Sequence, residues 1–195
     1  MYIPKHFAVK DHEAIFEFAE ENAFGQLIST LDGELFSTHL PFLFSKDKKN
    51  ITCHLARQNP QSANLEGQEV LITLSGPHAY ISPSWYTAPG VPTWNYQAIH
   101  IYGTAKVFTD PERLKVVVDS LTNKYESAFE SPWQPDYKAS MLRAIVGVEI
   151  AITRVQGKYK LSQNRSLEDQ ARVIAQLNTL GENSLAKAMA KEPKK

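Results

Sequence analysis

The sequence predicts an α+β fold in which flanking helices accompany a barrel-like sheet. Three observations carry this. Five or six segments have strand signatures. Few of them are separated by helices, which argues against a doubly wound parallel sheet. Helical patterns begin near residues 11, 110 and 166, one of them a crossover and the others flanking the sheet.

The elements follow in order. Asp11 is a helix N-cap, and Ile15, Phe16, Phe18 and Ala19 form a stripe that lasts to about Asn22. "FGQLIST", "LDGE" and "LFSTHLPFLF" read as a hairpin turned at Asp32-Gly33. Phe36, Leu40, Phe42 and Phe44 share one face of its second arm, with Ser37 and His39 on the other. "NITCHLAR" is a third strand with Ile51, Cys53 and Leu55 on one side, and Asn59-Pro60 breaks it. "EVLITLSG" is a fourth, interrupted at Gly76-Pro77, with "AYIS" resuming it after a bulge. "TWNYQAIHIYGTAKVF" is a long fifth strand. Asp110 as N-cap and Pro111 at the first helical position open the best helix, faced by Leu114, Val117, Val118, Leu121 and Tyr125. A short helix over 137–144 leads into "VGVEIAITRVQGKYKL", the sixth strand. Ser166 and Asp169 approximate a capping box for a last helix striped by Leu167, Ala171, Ile174, Leu177 and Leu180 and ended by Gly181. The polar tail "AKAMAKEPKK" is expected to fray.

A chain of 195 residues suits one domain with a small appendage. The expected division is a barrel domain over 1–165 and a C-terminal helical extension over 166–195. Lys plus Arg equals Asp plus Glu at 21 each, so no strong phosphate-neutralising surface is expected. Near-zero charge gives little colloidal repulsion and so favours a partner. Cys53 is the single cysteine, which excludes an intrachain disulfide. The N-terminus "MYIPKHFAVKDHE" has no apolar leader, and no run approaches the roughly 18 apolar residues of a membrane span. A cytoplasmic protein is the expectation.

Several stretches could carry chemistry. No nucleotide-binding glycine loop, nucleophile elbow or paired zinc motif occurs. In "HLARQNP" Arg57 ends an apolar strand beside a turn, where a guanidinium and free N–H groups make a phosphate fork; a rim ion pair is the plainer alternative. "PSWYTAPGVPTWNY" puts two tryptophans and two tyrosines on a segment that its prolines keep out of a helix. Trp94 and Tyr96 share a strand face with Ala98, His100 and Tyr102, as core or dimer interface or as a platform for a planar ligand. His39, His54 and His78 fall on strands read as adjacent and could line a pocket. "KLSQNRS" reads as a loop and N-cap, or as amide and guanidinium donors for an anion.

Six stretches in one order, "MYIPKHF", "HLPF", "HLARQNP", "GPHAYISPSWY", "VPTWNYQAIHIYG" and "GKYKLSQNRS", make the chain resemble the PaiB-type family of FMN-binding transcriptional regulators. The resemblance implies a split β-barrel like that of flavin reductases and pyridoxamine phosphate oxidases. It also implies a homodimer with FMN at the subunit interface and a negative regulatory role. On that resemblance Arg57 takes the FMN phosphate, His54, Leu55 and Ala56 add contacts, and Asn59 and Ser62 are secondary. Trp94 and Asn95 flank the ring. No helix-turn-helix stands out and the charge is balanced, so regulation through a metabolite or partner protein is expected before direct DNA contact. Two other functions use the same barrel type: an FMN-dependent oxidoreductase with a nicotinamide donor, and a haem-binding protein with a histidine ligand.

Overall fold

The computed structural model describes residues 1–192 of the chain. Eight strands and five helices alternate as β1 (Ala8–Val9), α1 (His12–Glu21), β2 (Phe24–Leu31), β3 (Glu34–Pro41), β4 (Leu43–Phe44), β5 (Asn50–Ala56), β6 (Glu69–Ile81), β7 (Thr93–Phe108), α2 (Pro111–Glu126), α3 (Ala139–Leu142), β8 (Ile145–Lys160), α4 (Leu167–Thr179) and α5 (Asn183–Lys191). The strands form one sheet in the order β3-β2-β6-β7-β8-β5-β4, and β1 adds antiparallel to β8. Two strands more than the sequence indicates are the two-residue pieces β1 and β4, too short to leave an alternation signal.

Two compact units divide the chain, and β6, β7 and β8 each run through both. The first unit holds Met1–Phe18, Ser75–Ile99 and the segment from Gln156 onward; the second holds Ala19–Leu74 and His100–Val155. The expected boundary at 165/166 falls inside the first unit.

In the second unit the hairpin β2–β3 is as the sequence indicates. Leu31 pairs Glu34, and Asp32 and Gly33 both have positive φ, the conformation of a two-residue turn matched to strand twist. Leu27 pairs Ile72 on β6, and Cys53 pairs Val148 on β8; all four are buried. Burial pushes the Cys53 thiol up to about 12, which leaves it a small core residue. Helix α2 starts as its sequence dictates, with the Asp110 carboxylate accepting from Arg113 N–H and Pro111 in the first turn. Leu114, Val117 and Leu121 join Phe108 and Leu142 in a cluster, each buried side chain contributing about 1.5–3 kcal/mol. Tyr125 does not join it: the last turn runs beyond the cluster and leaves the ring exposed.

In the first unit β6 does not break at Gly76-Pro77, but its phase slips. Val70, Ile72 and Leu74 are buried before that point and Ala79 and Ile81 after it, so burial moves from even to odd positions. A Cβ on Gly76 would meet the Phe18 ring at 2.6 Å, so the strand passes this aromatic only as glycine. Helix α4 buries Asp169, Val173 and Leu177, whereas Leu167, Ala171 and Leu180 of the expected stripe are exposed. The tail is not frayed over Asn183–Lys191. It forms α5, which buries Leu185, Ala186 and Met189, and tertiary burial supplies what so short a helix lacks alone. Residues 193–195, the end of that tail, lie outside the described residues.

Gly181 separates α4 from α5 at φ +81°, and a Cβ there would meet nothing within 4 Å. Gly181→Ala therefore tests backbone conformation alone. We expect it to cost about 1–2 kcal/mol in denaturant unfolding; an unchanged midpoint would contradict the left-handed break.

Candidate functional site

The two stretches singled out by sequence fall in different units. In the second unit β5 ends at Ala56, and Arg57 turns the chain away. Arg57 N–H donates to the Ala144 carbonyl at 2.8 Å. Its Nε donates to the Arg143 carbonyl at 2.7 Å and its Nη2 to the Ile145 carbonyl at 3.3 Å. These bonds use the side fork of the guanidinium and leave the end-on Nη1/Nη2 fork, with no carboxylate among the described residues paired to it.

The turn beyond is fixed from within. The Asn59 side chain accepts from Gln61 N–H at 3.0 Å and donates to Thr38 Oγ1 at 3.0 Å. Ser62 Oγ donates to the Asn59 carbonyl at 2.8 Å. Gln61, wholly buried, donates from Nε2 to the Leu27 carbonyl and Ser29 Oγ and accepts from Thr38 Oγ1. Ala56, Arg57, Asn59 and Ser62 are thus brought together, but Asn59 and Ser62 are committed to the turn. Leu55 is core. His54, opposite Gly147 on β8, carries a buried Nδ1 without a hydrogen-bond partner. Burial holds its imidazole below the usual pKa, and His100 shifts in the same direction, chiefly from burial. The three histidines read as neighbours are not: β3, β5 and β6, which carry His39, His54 and His78, are nowhere adjacent in the sheet.

In the first unit the proline-rich segment is held against the start of α4. Ser166 caps α4 by accepting from Asp169 N–H at 3.1 Å. The Asp169 carboxylate does not close a capping box. It accepts from Thr87 N–H at 2.7 Å and Thr87 Oγ1 at 2.9 Å, and the Thr87 N–H leads the interactions that hold its pKa below the ordinary value. Arg172 Nε donates to the Trp85 carbonyl, and Arg165 Nη1 to the Pro89 carbonyl. The Arg165 guanidinium lies 4.2 Å from the centroid of the buried Tyr86 ring.

With the loop drawn to α4, the outward face of β6-β7-β8 is left open. Trp94 is 53% exposed, and its ring packs 6.3 Å from both His78 and Tyr80 on the next strand. Two clefts of about 560 and 440 Å³ meet at Trp94; Tyr80, Trp85 and Leu177 line one and Tyr96 the other. On β8, Lys158 and Lys160 point to this side. Lys158 Nζ lies 5.3 Å from the Tyr96 centroid, and Lys160 Nζ donates to the Trp94 carbonyl and Thr93 Oγ1, both at 2.6 Å. Asn95 points the other way: it is 1% exposed, and its Nδ2 donates to Ser162 Oγ and Met189 Sδ.

Residues 1–154 match the family described as "Putative FMN-binding domain". The chain is also 44% identical over 198 residues to "Protease synthase and sporulation protein PAI 2" of Bacillus subtilis, covering 97% of this chain and 95% of the relative. The chain belongs to the PaiB-type family. Among solved structures, a protein from Mycobacterium smegmatis described as FAD and haem binding superposes at TM-score 0.65, with 12% identity, over 84% of this chain and 78% of the other. A flavocytochrome from Azotobacter vinelandii superposes at 0.60, with 18% identity, over 87% and 78%. At these identities the likeness concerns the fold, and it bears out the split-barrel class expected from the sequence.

For this PaiB-type chain the sequence names Arg57 and Trp94 as candidates but not the contacts that shape the segments around them. Gln61, Thr87, Asp169 and Arg172 act across separations of 23 to 87 residues. Lys158 and Lys160 did leave a signal: two lysines alternate with Tyr159 and Leu161 in a strand that is otherwise closing on its core.

The unpaired His54 nitrogen predicts an acid-side weakness. Its folded pKa is below 6.5, so from about pH 6.5 downward the unfolded chain takes up a proton that the folded one resists, and stability falls. His54→Phe should flatten the decline in melting temperature between about pH 7 and pH 5. Parallel curves for the two proteins would contradict this.

Proposed function

We propose that the chain is a flavin-binding protein of the PaiB type, that its flavin is FMN, and that it acts in the cytoplasm as a homodimer. The observation that supports this reading is Trp94, an indole more than half exposed between two clefts and flanked by His78, Tyr80 and Tyr96. Aromatic surface left in water costs hydrophobic free energy that a flat ligand would recover, with ring stacking added to it. The clefts lie within the roughly 300–1,000 Å³ of ligand pockets. The tricyclic flavin ring has the required shape.

In the homodimer we assign the ring to the Trp94 face of one subunit and the phosphate to the Arg57 turn of its partner, where the free end-on fork matches two phosphate oxygens. His54 and Ala56 stand beside that turn, while Asn59 and Ser62 support it. A bound flavin supplies hydride and electron transfer; the residues of the chain bind and orient it. The name of the B. subtilis relative places that protein in protease synthesis and sporulation. We take the role of this chain to be negative regulation of transcription, exerted through a partner that reads the flavin-loaded face. Balanced charge favours such a route over phosphate-neutralising DNA contact.

In fluorescence titrations Arg57→Ala should weaken FMN binding by about 1.5–3 kcal/mol. Trp94→Ala should weaken FMN and riboflavin alike by about 1 kcal/mol or more. An unchanged affinity removes the corresponding assignment, and no binding of either flavin by the unaltered protein removes the proposal. Light scattering at micromolar concentration should give about twice the chain mass of 21.9 kDa; a monomer would contradict the dimer.

A further inference from the structure

We propose that Lys158 and Lys160, supported by Arg165, form an oxyanion-binding element on the Trp94 face, for a phosphate or carboxylate group. The inference rests on the reading that a ligand occupies that face. All three residues lie in the first unit and beyond residue 154, where the family match ends.

Lys158 is 8% exposed. Its Nζ donates to the Tyr2 carbonyl at 3.1 Å and lies between two rings, 5.6 Å from the Tyr2 centroid and 5.3 Å from that of Tyr96. Lys160 is half-buried. It spends two of its three donors on Thr93 Oγ1 and the Trp94 carbonyl, and lies 5.9 Å from the Phe7 ring. Arg165 has a carbonyl and an aromatic face as partners. Every one of these partners is neutral. None of the three cations pairs with a carboxylate among the described residues. Asp169, whose pKa Arg165 helps to lower, is bonded to Thr87 through Oδ1, and Asp11 and Glu192 line a cavity together with Arg165.

Burying ammonium groups without a counter-charge is costly, and like charges beside one another add to the cost. Lys160 registers both: burial first, then Lys158 and Arg165, lower its pKa. An oxyanion would supply the absent negative charge through charge-assisted hydrogen bonds. Lysines act as point charges that suit phosphate, whereas a planar carboxylate favours the arginine fork. Two sources fit this chemistry: a separate small oxyanion, or the phosphate of the bound flavin itself, which would then displace the assignment of that phosphate to the Arg57 turn.

The experiment measures melting temperature with inorganic phosphate against chloride at equal ionic strength, and the ratio of FMN to riboflavin affinity. The full-length protein, Lys160→Gln, Lys160→Arg and Lys106→Gln are compared; Lys106 is exposed in the second unit and controls for charge. We expect phosphate to raise the melting temperature of the unaltered protein, Lys160→Arg and Lys106→Gln, and to leave that of Lys160→Gln unmoved. If the oxyanion is the flavin phosphate, the unaltered protein prefers FMN to riboflavin by about tenfold or more, and Lys160→Gln brings the ratio toward one. If it is separate, the ratio is indifferent to Lys160→Gln, and saturating flavin leaves the phosphate shift in place. A phosphate shift without flavin binding would sink the flavin reading and leave the oxyanion element standing. No phosphate-specific shift, together with an affinity ratio that Lys160→Gln does not change, would overturn the element.

Discussion

The Asp169 carboxylate holds Thr87 by two hydrogen bonds across 82 residues of chain, and the character of the first unit depends on it. An acid in the first turn of a helix is ordinarily spent on capping or on the helix dipole. Here the Ser166 hydroxyl does the capping, and the carboxylate is free to seize a loop. That contact, with Arg165 on Pro89 and Arg172 on Trp85, draws the proline-rich segment onto α4. It also sets the rotation of α4, since a helix that turns Asp169 inward must turn Val173 and Leu177 inward with it.

One consequence is that the outward face of β6-β7-β8 in the first unit is left partly uncovered, open at Tyr80 and Trp94 and closed over Lys158 by Tyr2. Trp94 and Tyr96 project from the middle strand, His78 and Tyr80 from one neighbour, and Lys158 and Lys160 from the other. Aromatic rings beside cations without carboxylate partners do little for stability in water. The combination suits something flat and negatively charged. The second unit has the opposite character: its polar groups around the Arg57 turn are mostly satisfied internally, and the fully buried Gln61 ties that turn to the β2–β3 hairpin.

Much of the fold was legible because it is local. The Asp32-Gly33 turn, the alternation of Ile51, Cys53 and Leu55, and the Asp110-Pro111 start of α2 are decided within a few residues. The bulge expected at Gly76-Pro77 shows as a slip of phase without a break. What escaped is tertiary. Nothing near Leu167 reveals that Asp169 will turn inward, so the expected α4 stripe shares Leu177 with the buried face but holds Leu167, Ala171 and Leu180 where the structure buries Asp169 and Val173. Nothing in "AKAMAK" outweighs its lysines unless Leu185 and Met189, four apart, are already known to have a core to meet. Of the candidate site, Trp94 and Arg57 could be named from their neighbours in sequence. The burial of Asn95, and the carbonyls of Arg143 and Ile145 that orient Arg57, depend on segments 67 to 94 residues away.

A crystal structure of the protein grown with FMN tests the central claim most directly. The account predicts a tricyclic ring lying flat against Trp94 within reach of His78 and Tyr96. A flavin bound elsewhere, with the Trp94 indole still facing solvent, would contradict it.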